Sequence, residues 1–276
     1  MQKKMNVAII LCCYNRIKLT ERCLIQIEKS VRLCQQIDDY KIYICDDASN
    51  DGTSQMIRNR FPEACLIVTE GNCYWANSMY KAMLEAQKVD FDIYLMVNDD
   101  VSFFDRFISI MMDAYAKASF TCGIVGTTLA VDEDKITYGG RDMNMNLITP
   151  QKELKTCFWA NWNCFLIDKE VVKKIGIIDG KYEHSYGDFD YAYRMNVKGI
   201  PIYIAEEYVG RCNRNTDEGT YKDKNLSRIE RIRKLFSPKG CPIKSYMRFN
   251  LKTGAKYKFL VYIMGYLSII YETIKK

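Results

Sequence analysis

Residues 93–100 read Ile-Tyr-Leu-Met-Val-Asn-Asp-Asp: five apolar residues in succession, then an amide and two carboxylates. A short unbroken apolar run fits a strand buried on both faces, as in a parallel sheet, whereas a half-exposed strand would alternate. Carboxylates at the end of such a strand are costly unless water or a positive charge reaches them. Working outward, Asn6 to Cys13 repeats the pattern and ends at Tyr14-Asn15-Arg16. Leu24, Ile27, Val31 and Cys34 then recur at helical spacing. Lys41 to Cys45 is a second strand, closed by Asp46-Asp47-Ala48-Ser49-Asn50-Asp51-Gly52. Met56, Ile57 and Phe61 suit a short helix and Cys65 to Val68 a third strand. Met79, Met83 and Ala86 mark another helix, and Phe104 to Ala118 one more after the fourth strand.

Strands alternating with helices predict an α/β domain of Rossmann-like character, with a mostly parallel central sheet flanked by helices. Ligands of such sheets bind at the carboxyl ends of the strands. Tyr14-Asn15, Asp46-Asp47 and Asn98-Asp99-Asp100 all fall there and are expected to converge on one edge. The second half is less regular. Short strands are expected at Gly123 to Thr127, Ile136 to Tyr138 and Ile202 to Ala205, and a helix at Asp188 to Lys198. The apolar stretch Phe158 to Ile167 is interrupted by Asn161 and Asn163. Residues 1–215 are read as the main domain and 216–276 as a short, basic, helical extension.

The chain has 276 residues and a net charge of +6, concentrated after Arg211. Such a basic face suits phosphates, an anionic membrane or a solvated tail, and no nucleic-acid-binding module accompanies it. There are twelve cysteines without a C-x-x-C pair, and His184 is the only histidine. That argues against a zinc site and for reduced thiols in the cytoplasm. No signal peptide is visible. Phe259 to Tyr271 is apolar but shorter than the ~18 residues a membrane span needs. It is expected either to dock on the domain or to lie in the inner face of the cell membrane as an amphipathic anchor.

Several clusters can carry chemistry. Asp99 and Asp100 are suitable oxygen ligands for Mg²⁺ or Mn²⁺, an ion able to bridge nucleotide phosphates. The simpler alternative is a turn, with Asp100 capping the next helix. A carboxylate of Asp46-Asp47 could accept a hydrogen bond from a nucleobase, or merely close an Asx-turn, the role expected of Asp51. Asp188 sits at a helix start, as an N-cap or as a general base. Asp190 and Arg194, four residues apart, are expected to pair structurally. Asn72 with Trp75, and Trp159 with Trp162, combine aromatic and amide groups suited to a sugar, although core packing also uses them. No G-x-G-x-x-G, Walker or nucleophile-elbow motif is present, which disfavours dehydrogenases, P-loop ATPases and α/β-hydrolases.

In this order, Cys13-Tyr14-Asn15-Arg16, Asp46 to Thr53, Gly71-Asn72 with Trp75, Asn98-Asp99-Asp100 and Gly187-Asp188-Phe189-Asp190 with Arg194 resemble the family-2 inverting glycosyltransferases of the GT-A fold. Later stretches, Tyr208 to Asn215, Glu218-Gly219-Thr220 and Ser237 to Gly240, look like a bacterial rhamnosyltransferase-like subgroup. The resemblance implies transfer of one sugar from a nucleotide-diphosphate sugar to a glycan or lipid-linked acceptor. It implies Asp47 at the base, with Cys12 and Tyr14 lining its pocket and Asn15, Asn72, Trp75 and Asn98 beside the donor. Asp99 would touch the ribose or donor sugar, Asp100 would ligate the metal and Asp188 would be the base. Gly187 stands where the family has a glutamate. Arg211 and Arg214 are candidate phosphate partners, and Trp159, Trp162 and His184 candidate acceptor contacts. The Q-x-x-R-W element of processive synthases is absent. Two rivals share the frame: a nucleotidyltransferase, for which the loop after the first strand lacks the usual glycines, and a sugar-nucleotide-binding protein without turnover.

Overall fold

The computed structural model describes residues 4–118, 121–254 and 258–275. The chain runs through β1 (Met5–Cys13), α1 (Ile17–Leu33), β2 (Ile37–Asp46), α2 (Thr53–Arg60), β3 (Cys65–Val68), α3 (Tyr74–Ala86) and β4 (Ile93–Val97). It continues with β5 (Ser102–Phe103), α4 (Phe107–Lys117), β6 (Gly123–Leu129), β7 (Ile136–Tyr138), β8 (Gly140–Arg141), β9 (Lys155–Cys157) and β10 (Trp159–Ala160). Then follow β11 (Cys164–Asp168), α5 (Lys169–Ile175), α6 (Gly187–Val197), β12 (Ile202–Arg211), α7 (Arg228–Leu235), α8 (Ile243–Thr253) and α9 (Phe259–Lys275).

The main sheet has the order β3-β2-β1-β4-β11-β6-β12-β5, with β7 and β9 on its flank. β1 pairs in parallel with β2 and β4, and β6 with β12, while β11 runs antiparallel between β4 and β6. The carboxyl ends of β1, β2, β4, β6 and β12 therefore share one rim. The reversed strand brings its amino end, and Asn161 to Asn163 before it, to that same rim.

The unbroken apolar runs arise because both faces are covered. Val7, Ile9 and Leu11 of β1 join one core layer with Leu24 and Ile27 of α1 and Phe107 of α4. Ala8 and Ile10 join the other with Met79 and Met83 of α3 and Tyr191 of α6.

The structure departs from the expected periodicity in two places. The fourth helix begins at Phe107 rather than Phe104, because Ser102 and Phe103 pair with Arg211 and Gly210. The strand expected at 202–205 extends to Arg211, bending at register shifts so that it pairs with β6, β9 and β5 in turn. Beyond residue 216 the chain forms α7, opened by the Ser227/Glu230 capping box, then α8 and α9. α8 leans on α6: Lys252 reaches Asp190, Arg248 bonds Asp179, and Phe249 stacks on Tyr186 with ring centres 5.0 Å apart.

Candidate active site

The site is built around two strand ends. Asp99 is buried, and its Oδ1 lies 3.1 Å from Arg16 Nη1 while its Oδ2 accepts a 2.9 Å bond from Thr20 Oγ1. Burial nevertheless dominates and raises its pKa to about 6, against the lowering effect of Arg16 and Thr20. Arg16 Nη1 also donates to Asp100 Oδ2 at 3.3 Å, so one guanidinium bridges both carboxylates. The Cys212 thiol stands 3.9 Å from Asp100 Oδ1. Asp100 caps no helix, since α4 starts seven residues later with Arg106 before it. Arg16 and Thr20 had no role in the sequence reading. Their spacing of four around the start of α1 places both beside the end of β4 and was the available signal.

Asp47 is also buried. Its Oδ1 accepts from Thr69 Oγ1 at 2.8 Å and Cys73 N at 2.9 Å, and its Oδ2 from Tyr74 N at 2.8 Å. It thereby fixes the loop containing Asn72, whose φ is +62°, and the start of α3. Asp46 takes Ser49 N and Ser54 Oγ, and Asp51 takes Ile17 N and Thr53 N, the turn role expected of it. Asn15, at φ +49°, locks the first two loops together by bonding Asn50 N and Ser49 Oγ. Tyr14 is exposed on the rim. Cys12 lies beneath it with its thiol 3.9 Å from the Trp75 carbonyl, and burial pushes its pKa up.

A chain of contacts leads from these loops to the third acidic cluster. Trp75 follows the Asp47-bound amides and donates Nε1–H to Asn98 Oδ1 at 2.8 Å. Asn98 N bonds Asn163 O at 3.1 Å, and Asn161 Nδ2 lies 3.4 Å from Asp188 Oδ2. Asp188 is half-buried in the first turn of α6. Tyr186 holds the N-cap position with φ +75°, so Asp188 is not the cap. Its Oδ1 accepts from Phe189 N at 2.9 Å, and burial raises its pKa to about 6. Asp190, by contrast, is fully buried and committed to Arg194, Tyr182 and Lys252, as its spacing from Arg194 predicts. Gly187 has a packing reason: a Cβ there would sit 3.1 Å from Ala76 Cβ and 2.9 Å from Ile178 Cδ1, so a larger residue would require Ile178 to turn away and α6 and α3 to part by a few tenths of an ångström.

Other candidates scatter in role. Trp162 is 1% exposed and packs between Phe165 and Tyr191, so its ring is core and not a sugar-facing surface. Trp159 is half-buried against Phe189 and Phe249. His184 has a pKa lowered to about 4 by burial first and by Lys239 and Arg16 next, which keeps it neutral. Arg211 is spent on Asp134 and on the carbonyls of Ala130 and Glu133. Arg214 is exposed and bonds only the Thr137 carbonyl at 3.2 Å among the described residues. Arg141, missed in the sequence, pairs across β8 and β10 with Trp159 and keeps its Nε buried without a partner. A depression of about 470 Å³ beside Met143, Phe158 and Asn196 borders none of the acidic loops.

Residues 8–176 match the sequence model described as Glycosyl transferase family 2, and the chain belongs to that family. It is a glycosyltransferase of the GT-A fold. Solved structures share the architecture at low identity. TarS residues 1–349 of S. aureus match at 12% identity and TM-score 0.55, covering 90% of this chain and 70% of that one. The mannosyltransferase PcManGT from Pyrobaculum calidifontis, in complex with GDP-Man and Mn²⁺, matches at 13% and 0.58, covering 96% and 76%. GalNAc-T7 with UDP, GalNAc and Mn²⁺ matches at 14% and 0.60, covering 85% of this chain and 48% of that one. No curated protein matches the chain.

Proposed function

We propose that this enzyme transfers a single sugar from a nucleotide-diphosphate sugar to a hydroxyl of a glycan or lipid-linked acceptor, with inversion at the anomeric carbon. The observation that carries the reading is the continuous line of contacts along one rim, from Asp47 through Trp75 and Asn98 to Asp99 and Asp100, and by way of Asn163 and Asn161 to Asp188. The nucleotide lies over the β1 and β2 ends, against Cys12, Tyr14, Asn15 and the loop that Asp47 orders. Three of the lone-pair sites of Asp47 are occupied within the protein, so it acts on the base chiefly through that loop.

Asp188 takes the proton of the acceptor hydroxyl, whose oxygen bonds to the anomeric carbon as the bond to the diphosphate breaks. A proton affinity raised to about 6 suits a base working near neutral pH. Inversion is supported by the neighbours of Asp188 on its helix: position 187 is glycine and Asp190 is locked in ion pairs. Asp100, a part-exposed carboxylate at the strand end, would hold a divalent cation whose other ligands come from water and the donor's phosphates, as Mg²⁺ and Mn²⁺ accept; among the described residues no three acidic, histidine or cysteine side chains cluster to hold one alone. Such an ion, Mg²⁺ or Mn²⁺, would supply charge stabilisation to the departing diphosphate. Arg16 shares that task from the protein side, and Arg214 remains available for phosphate.

The twelve free thiols support a reducing, cytoplasmic location, and among the described residues no helix is long and apolar enough to cross a membrane. A panel of nucleotide sugars tested for metal-dependent hydrolysis and transfer checks the proposal. Turnover of at least one donor is expected, with Asp188→Asn retaining nucleotide affinity and losing transfer. Unchanged transfer by that variant removes Asp188 as the base.

A further inference from the structure

α9 buries Tyr266 and Thr273 toward α7 and α8, where Tyr266 bonds the Cys241 carbonyl at 2.7 Å and packs on Tyr246 and Phe236. Its other flank meets no partner among the described residues. Leu260, Met264, Leu267, Tyr271 and Ile274 follow one another at steps of four and three and are 36–72% exposed, with Val261 alongside. The stripe runs for about 21 Å along the helix at 1.5 Å per residue.

This spacing also describes a coiled-coil seam, but two features exclude that partner. The stripe covers only about two heptads, short of the three or four a coiled coil sustains. The positions flanking it are Val261, Ile263, Ser268, Ile270 and Lys275, so the paired acids and bases that select a partner helix are absent. Charge points elsewhere. Residues 216–276 hold 14 lysines and arginines against five acids, while residues 1–215 hold 26 against 29. Two such basic caps would repel each other, whereas an anionic surface attracts them. Lys258 and Lys275 are exposed at the two ends of α9, and Arg228, Arg233, Lys239 and Lys244 are exposed on and beside α7 and α8.

We infer that the exposed flank of α9, with its basic surroundings, docks in the plane of a membrane surface rich in anionic lipid. A hydrophobic stripe supplies insertion and the lysines supply attraction, the combination that peripheral helices need. α8, on which α9 packs, reaches the candidate site: its Phe249 touches both Tyr186, two residues from Asp188, and Trp159. The inference deepens the expectation of a lipid-linked acceptor, yet vesicle binding needs neither donor nor turnover and can fail independently of it.

The full chain is incubated with sedimentable vesicles of phosphatidylglycerol and phosphatidylcholine in equal parts, or of phosphatidylcholine alone. Binding to the anionic vesicles is expected, weakening as salt rises. Leu267→Glu should weaken it by about tenfold or more, with an unchanged melting temperature as the folding control. Lys258→Glu with Lys275→Glu, at exposed positions that leave packing alone, should weaken binding in the same sense. The inference is overturned if the wild type ignores anionic vesicles, if it binds neutral vesicles equally well, or if the variants bind as the wild type does. Analytical ultracentrifugation showing a dimer that Leu267→Glu dissociates, without vesicle binding, would assign the stripe to a second copy instead.

Discussion

On the side of the cleft at the ends of β1, β2 and β4, Asp46, Asp47, Asn98 and Asp99 are held by hydrogen bonds from their loops or their neighbours. On the side built from residues 127–189, Thr127 Oγ1, Arg141 Nε, Trp159 Nε1, Asn161 Oδ1, Trp162 Nε1 and His184 Nδ1 are buried without a hydrogen-bond partner among the described residues. Before Thr127 only Arg22 Nε and Ser78 Oγ share that condition among the described residues. A buried polar group left unpaired costs about 1–3 kcal/mol. The side at the ends of β1, β2 and β4 is therefore a finished scaffold, while the other side keeps polar atoms unpaired. We propose that the part-exposed members of that set beside Asp188, Asn161 and Trp159, meet the acceptor, whereas Trp162 belongs to the core.

The contrast can be tested at several points. Asp188→Asn should reduce transfer by about 10²–10⁴-fold, the usual contribution of a general base, measured as kcat with nucleotide affinity as control. The pH profile follows from the same group. Its pKa is raised to about 6, so the base is lost as pH falls, and transfer should drop about tenfold per pH unit below 6. The sign for stability is opposite. A carboxyl with a raised folded-state pKa stabilises below its unfolded value and loses that contribution as pH rises through about 6. Asp188→Asn should therefore raise the melting temperature at pH 8 more than at pH 5.

Thr20→Val removes a hydrogen bond to the buried Asp99. It should destabilise the fold by about 1–3 kcal/mol in denaturant titration at pH 8, and less at pH 5, where Asp99 takes up a proton. The smallest effect is the most diagnostic. Trp75→Phe and Trp159→Phe delete the same indole N–H, but the first breaks the bond to Asn98 and the second breaks none. Trp75→Phe should cost about 1 kcal/mol more than Trp159→Phe, while Trp159→Phe should raise the acceptor KM and leave donor affinity alone. Equal stability losses with no KM change would remove the distinction between the two sides.

Much of the first half was legible because its elements are local. The apolar runs of β1, β2 and β4 and the helical spacing of α1 and α3 follow from burial on both faces of a sheet, and the polar residues that end each strand mark the rim. The second half was less so. β11 runs antiparallel and β12 bends to pair with three strands, and neither reversal nor bending leaves a period in the sequence. Trp159 and Trp162 look alike in the chain. Which one is core depends on where the turn between β10 and β11 falls.

Sequence alone places Asp47 and Asp100 at the ends of their strands, because an ionisable group after an apolar run has nowhere else to sit, and Asp188 at the start of its helix. It cannot state what neutralises them. Arg16 meets Asp99 across 83 residues and Asn161 meets Asp188 across 27, contacts created by strand order and not by local pattern. The glycine at 187 is likewise a consequence of how closely α6 approaches α3. Periodicity records whether a side chain is buried; only packing determines what it is buried against, and that decides the charge, the proton affinity and the shape of the cleft.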